Sequence, residues 1–407
     1  MSATWPLLLL CVACTGARVD EPARSVAANP KLSGAAPHHT PRTGAPSPAE
    51  PSLTLAVAGD VNLGRGCGQR LLADPSYDPW RGVASLWADA DLRFVNLESV
   101  LSDQHGETQS PHHALVFTGP PSGADALARA GIGIVSTANN HAWDYASRGL
   151  FETLSNLDRA GVAHAGTGIT EADAYQPAIL RANGLTISVF AVTQVWNLGV
   201  FEREEARHHV AWADPARLRE AVKRARADSD FVVVSYHGGE EYKYEPLPKT
   251  RAFADEMLSL GADAVIGHHP HVTQGVAWRA ARPIFYSLGN FVFDGRAGLP
   301  WTRASFLAKL RFQRGSPVQV SVCPVQISGY EPQPLTAKDE AARREFERHL
   351  RELSDTVGGT NIGGIDALGC YALTPRNGAT PPRDRPRVDR ESAQLVPRQS
   401  RTIPRAD

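Results

Sequence analysis

Between residues 53 and 287 short apolar runs alternate with stretches of helical period. Leu53–Ala58, Leu92–Val95, Ile132–Ser136, Thr186–Val192, Phe231–Ser235, Ala264–Ile266 and Ile284–Ser287 are short and mostly apolar, which makes each a strand candidate. Around them, 124–130, 147–160, 214–227 and 249–260 carry apolar residues three and four apart. Leu150, Leu154 and Leu157 form the clearest stripe, and all four stretches predict helices. Strands alternating with helices predict an α/β fold built in layers. Residues 304–327 break the alternation. Phe306, Leu310 and Phe312, then Val318, Val320 and Val322, flank Gly315-Ser316-Pro317, a hairpin pattern. A helix over about 337–354, with Phe346, Leu350 and Leu353 as its stripe, closes the domain. No repeat of fixed period is evident.

The two ends follow other rules. Residues 1–19 hold the run Leu7 to Leu10, then Cys11, Val12, Ala13 and Cys14. That run is too short to span a membrane and predicts a secretory leader. Cys14, behind Val12 and Ala13, matches the lipid-modified Cys of a bacterial lipoprotein signal, although no Lys or Arg precedes it. Export, with a membrane attachment through the lipid alone, is the expectation. Residues 20–51 are rich in Ala, Pro, Ser and Gly and read as a flexible tether; 373–407 read as a disordered tail. The folded part is then 52–372. The chain has 42 basic and 43 acidic residues, a net charge of −1, so no field favours nucleic acid. Beyond Cys11 and Cys14 stand Cys67, Cys323 and Cys370. An exported chain can pair Cys323 with Cys370 and leave Cys67 free; buried unpaired thiols are the alternative.

Polar residues recur just past the strand ends, the edge where open α/β sheets bind ligands. The first strand delivers Asp60 and Asn62, with Arg65 close behind. The second delivers Asn96 and Glu98, and the third Asn139, Asn140 and His141, followed by Asp144. His237, then Gly267-His268-His269-Pro270-His271, then Gly289-Asn290 complete the series. Taken singly, Asp60 can be a helix N-cap, the paired Asn can be turn residues, and a His at a strand end can be structural. Together, an Asp, a Glu, Asn amides and several imidazoles form a mixed oxygen and nitrogen ligand set. Such a set suits a divalent Mn, Fe or Zn ion better than Mg or Ca. Arg65, Arg70, Lys243 and Lys249 could line a cleft, and Tyr242 and Tyr244 could stack on substrate; each can equally be a surface or packing residue.

The ordered series Ala-Gly-Asp60-Val-Asn62-Leu-Gly-Arg65, Asn96-Leu-Glu98, Phe117-Thr-Gly-Pro120-Pro121, Ala-Asn139-Asn140-His141, Tyr-His237-Gly, Gly267-His-His269-Pro-His271 and Tyr-Ser-Leu-Gly289-Asn290-Phe-Val-Phe-Asp294 resembles the poly-γ-glutamate capsule-synthesis (CapA) family, a branch of the calcineurin-like metallophosphoesterases. The resemblance implies a β-sandwich flanked by helices, α-β-β-α. It also implies one or two divalent ions held by Asp60, Asn62, Glu98, Asn140, His237, His269 and His271. Glu98 would bridge the ions, and a pair so bridged lowers the pKa of a water between them. His141 would be the general acid, and Arg65, Asn139, Asp144 and Asn290 the supporting or substrate-facing residues. Asn62 stands where the family's relatives in the wider group have His, Glu98 where they have Asp, and Gly238 where Trp is usual. Asn140, His237, His269 and Glu98 therefore form the stronger expected half-site, and Asp60, Asn62 and His271 the weaker.

Two functions follow from the resemblance. One is an exported metal-dependent hydrolase of a phosphoester or of the polyglutamate γ-amide. The other is a non-catalytic surface factor that assembles, exports or binds an anionic polymer or glycan, working with a membrane complex for capsule synthesis and export.

Overall fold

The structure, a computed structural model, describes residues 50–197, 204–296 and 298–376. The expected leader, its Cys14, the tether up to residue 49 and the chain beyond 376 lie outside the described residues. Two large sheets carry the domain. The first runs, edge to edge, Thr360–Ile365, Tyr371–Pro375, Gln319–Ser328, Ala304–Gln313, Ser52–Val61, Leu92–Leu97, Ile134–Ser136 and Ala163–Ala165, with Asn290–Val292 and Glu331–Pro334 as side branches. The second runs Val276–Arg279, Arg282–Phe285, Ala264–His268, Phe231–His237, Leu185–Thr193 and Ala178–Ala182.

Side chains alternate across each strand, and the layers follow from that alternation. Leu53, Leu55, Val57, Phe94 and Phe306 of the first sheet meet Ile187, Val189, Phe231, Val233 and Phe285 of the second in one buried cluster. Their neighbours face outward: Ala56, Ala58, Val95 and Val135 pack on Leu71, Leu127 and Leu157, residues of the helices Arg65–Ala73, Ser122–Arg129 and Ala146–Ala160. On the other side Val232, Val234 and Val265 pack on Leu218, Val222, Phe253 and Met257, from the helices Pro215–Asp228 and Pro248–Ser259. The order is α-β-β-α, as expected. The strands read as unbroken apolar runs because both their faces are covered. Local signals set the helix starts: the Asp214 side chain accepts the Ala216 N–H, and Pro215 occupies the first turn, where its missing N–H costs nothing.

The C-terminal third departs from the pattern. The hairpin is present as Ala304–Gln313 and Gln319–Ser328. The last helix runs Glu340–Asp355, because Thr336 and Asp339 cap each other around a short 3-10 turn ahead of it. Two further strands follow, and folded structure reaches past 372: Leu373, only 2% exposed, is part of the core. Cys323 and Cys370 are joined in a disulfide that fastens this last hairpin to Gln319–Ser328, and Cys67 is free and buried. No described helix is long and apolar enough to cross a membrane.

The bridge spans a sequence separation of 47 residues, and loop-closure entropy then gives a stabilisation of about 4 kcal/mol. The Cys323→Ala/Cys370→Ala double variant is expected to lower the urea midpoint accordingly; an unchanged midpoint would show that the bridge contributes nothing.

Candidate metal centre

Parallel pairing brings the chemistry together. In the first sheet Asp60 is in register with both Asn96 and Asn290, and Asn96 with Ser136. In the second, His237 is in register with His268 and Thr193. The strands that carry these residues run parallel, so their C-terminal ends share one edge of the sandwich. At that edge the backbones close up: a Cβ at Gly59 would lie 1.8 Å from the Gly289 carbonyl oxygen, which only a glycine permits. Asn96 ties the two sheets across the site, its Nδ2 lying 2.9 Å from Asp60 Oδ1 and 3.1 Å from His237 Nδ1.

Glu98 is the centre. Its carboxylate is fully buried, and neither oxygen has a hydrogen-bond partner. Three imidazoles surround Oε1: His271 Nε2 at 3.7 Å, His237 Nε2 at 3.8 Å and His141 Nε2 at 3.9 Å. Those separations are too long for hydrogen bonds and leave room for a cation between the groups. Two fully buried sets bring their ligand atoms within 4.8 Å of one another: Glu98, His237 and His269, and Asp60, Glu98 and His271. Glu98 belongs to both. The expected ligand types and the orphaned carboxylate therefore fit a divalent ion, or two that share Glu98.

Charge within the cluster is unevenly divided. Burial, reinforced by the charge of Asp60, raises Glu98 well above the usual carboxylate range. Burial also opposes ionisation of Asp60, but His268 and His271, at 3.3 and 3.5 Å, outweigh it and hold the carboxyl well below its ordinary value. Burial opposes the charged form of His271 too; Glu98 and Asp60 prevail and lift it to about 10. Burial pushes His269 down to about 3, with the positive His271 adding to it, and drives His237 well below 6.5. Without metal, Asp60 and His271 carry opposite charges. His237 and His269 are neutral, the form in which imidazole ligates.

The family described as "Bacterial capsule synthesis protein PGA_cap" matches residues 54–295, which contain every one of these groups. The chain belongs to that family. It is 29% identical to the PGA biosynthesis protein CapA of Bacillus subtilis over 74% of this chain and 79% of that one. It is 28% identical to the Capsule biosynthesis protein CapA of Bacillus anthracis over 70% of each. Among solved structures it is similar to a putative 5'-nucleotidase from Staphylococcus aureus, with a TM-score of 0.40 and 14% identity over 73% of this chain and 58% of that one.

In this PGA_cap chain the expected ligands Asn140 and Asn62 and the expected supporting residues take distinct places. Asn140 Oδ1 lies 2.8 Å from His237 Nε2, and Asn290 Oδ1 lies 2.9 Å from His271 Nδ1. Asn139 donates to the Leu97 carbonyl and accepts the His141 N–H, which locks the loop that carries both. Asp144 Oδ2 is 2.8 Å from His141 Nδ1. Asn62 Oδ1 accepts the Gly64 N–H at 2.7 Å, and its buried Nδ2 is left without a partner. Arg65 stands outside, paired with Asp294 at 3.1 Å and lying over the ring of Phe117, which stacks on His141. Arg70 is engaged by Glu331 and Lys243 by Glu240, and Tyr244 packs on His349. The sequence reading omitted Asn96 and His268 as site residues, although both lie inside recognised motifs. It also missed Asn197, which donates to Asp144 and accepts from Asn140, and Glu241, which lies near His269 and His271.

His269 takes up a proton less readily folded than unfolded. In metal-free protein it contributes stability that is complete above pH 6.5 and lost as the pH falls toward about 3. His269→Asn is expected to flatten the dependence of unfolding free energy on pH between 6 and 4 by up to about 1.4 kcal/mol per pH unit, one proton's worth. Superimposable slopes in EDTA would contradict the assignment.

Proposed function

We propose that the chain is an exported, metal-dependent hydrolase of capsule synthesis that acts on a phosphoester or on the γ-amide of polyglutamate. The observation that carries this reading is the buried Glu98 carboxylate, with no hydrogen-bond partner and three imidazole nitrogens between 3.7 and 3.9 Å away. An isolated buried carboxylate is costly unless it is paired or ligates a cation. Membership of the capsule-synthesis family supports an anionic polymer as the substrate or partner. The leader-like N-terminus and the Cys323–Cys370 disulfide support export, because disulfides persist in oxidising compartments.

A divalent ion, with Mn, Fe or Zn suiting the donors, supplies Lewis acidity and an acidified water when bound. Glu98, His237, His269, Asp60 and His271 would hold it. His141 delivers a proton to the leaving group. A carboxylate has no hydrogen to give, so the 2.8 Å contact with Asp144 holds one proton on His141 Nδ1. The proton delivered is the second one, which Nε2 carries in the imidazolium form and gives up to leave the neutral ring. Asp144 also accepts the Phe117 N–H, and Phe117 stacks 3.9 Å from the imidazole, so ring and carboxylate are fixed together. Asn197 spans Asp144 and Asn140 and holds the acid in line with the ligands.

Purified protein with Mn, Zn or Fe is expected to turn over aryl phosphates or polyglutamate. His141→Asn should lower kcat by about 10²–10⁴-fold, the usual worth of a general acid, while leaving metal content intact; Glu98→Ala should abolish both turnover and uptake. Metal-independent turnover, or none on either substrate class, would sink the hydrolase reading. Full rescue of polymer production in a deletion strain by Glu98→Ala would assign the protein to a non-catalytic role.

A further inference from the structure

Glu241 belongs to no element that the sequence pattern tied to the metal, yet its carboxylate lies with His269 and His271 in a third set of ligand atoms, all within 4.8 Å of one another. It differs from every other carboxylate there in being exposed to solvent. Its position is built into the backbone. The residues after His237 turn through Gly239 at φ 119° and Tyr242 at φ 63°, in the left-handed region. The turn is bonded to the histidine segment at both ends: the Gly238 N–H donates to the His268 carbonyl at 3.1 Å, and the Tyr242 N–H to the Pro270 carbonyl at 2.8 Å.

The histidine segment is itself strained, with His269 at φ 98° and His271 at φ 58°. Non-glycine residues held there are strained and persist only where the surrounding structure demands the orientation. Buried His269 Nδ1 has no hydrogen-bond partner, a second sign that this corner is built for a ligand. The neighbouring Glu240 is taken by Lys243 at 3.6 Å, whereas Glu241 has no ion pair with a Lys or Arg among the described residues.

We propose that Glu241 is a direct ligand of a divalent cation, supplying from the solvent side an oxygen donor beside the ring nitrogens of His269 and His271. The inference rests on the metal-centre reading above and deepens it. The buried sets hold a cation from within, and Glu241 adds a carboxylate on the face where substrate and solvent enter. An exposed glutamate in that position can bind and release without disturbing the core.

The test is metal binding by the full chain after EDTA treatment, measured by calorimetry with Mn²⁺ and by the visible absorption of the Co²⁺ form. Glu241→Gln keeps the shape of the side chain and removes the charged donor. It is expected to weaken one binding event at least 10–100-fold, the range seen even for groups one step removed from a metal, and to change the Co²⁺ spectrum. Glu240→Gln should bind as wild type. Circular dichroism of both variants checks folding. Wild-type uptake with unchanged affinity, stoichiometry and spectrum in Glu241→Gln overturns this inference alone. Wild-type protein that takes up no metal overturns both it and the metal-centre reading.

Discussion

The structure turns on one buried carboxyl group that no hydrogen bond satisfies. Glu98 is enclosed completely and accepts no hydrogen bond, while imidazoles face it from three loops. Buried polar groups in folded proteins are satisfied almost without exception, so such a group defines where a partner belongs. The other features of the site are arranged around it. His237, His269 and His271 turn nitrogen lone pairs or charge toward it, Asp60 shares the load through His268 and His271, and Asn96 holds the two sheets in register beside it.

Bringing these groups to one point is the work of topology. Parallel strands from both sheets end at a common edge, and each contributes a short polar loop there. The sandwich core behind that edge is apolar and continuous, which fixes strand positions and leaves the loops to carry the strain. The positive φ values at His269 and His271 are examples: the segment is bent into orientations that unconstrained residues avoid, and the cluster is the reason for keeping them.

Much of this was legible in the sequence. Covered strands show as apolar runs, and ligands placed just past strand ends show as polar residues at the same offset, so Asp60, Glu98, His141, His237, His269 and His271 could be found one by one. Hidden residues were hidden for physical reasons. Asn197 reaches the site from a loop 57 positions beyond Asn140 and leaves no local pattern. Glu241 follows an identical residue, and only the turn through Gly239 decides which of the pair faces the histidines. Asn62 has the right chemistry in the right loop, and its oxygen also accepts the Gly64 N–H, a contact that no sequence pattern announces. The strands Thr360–Ile365 and Tyr371–Pro375 carry few apolar residues and lie at one edge of the first sheet, anchored by the disulfide, so no periodicity announced them.

The most direct measurement of the central claim is anomalous diffraction from crystals grown with Mn²⁺. The account predicts anomalous peaks within coordination distance of the Glu98 carboxylate, with His237 and His269 or Asp60 and His271 as fellow ligands, and their loss in Glu98→Gln. A Glu98 carboxylate satisfied by ordered water alone, with no peak beside it at saturating metal, would contradict the account.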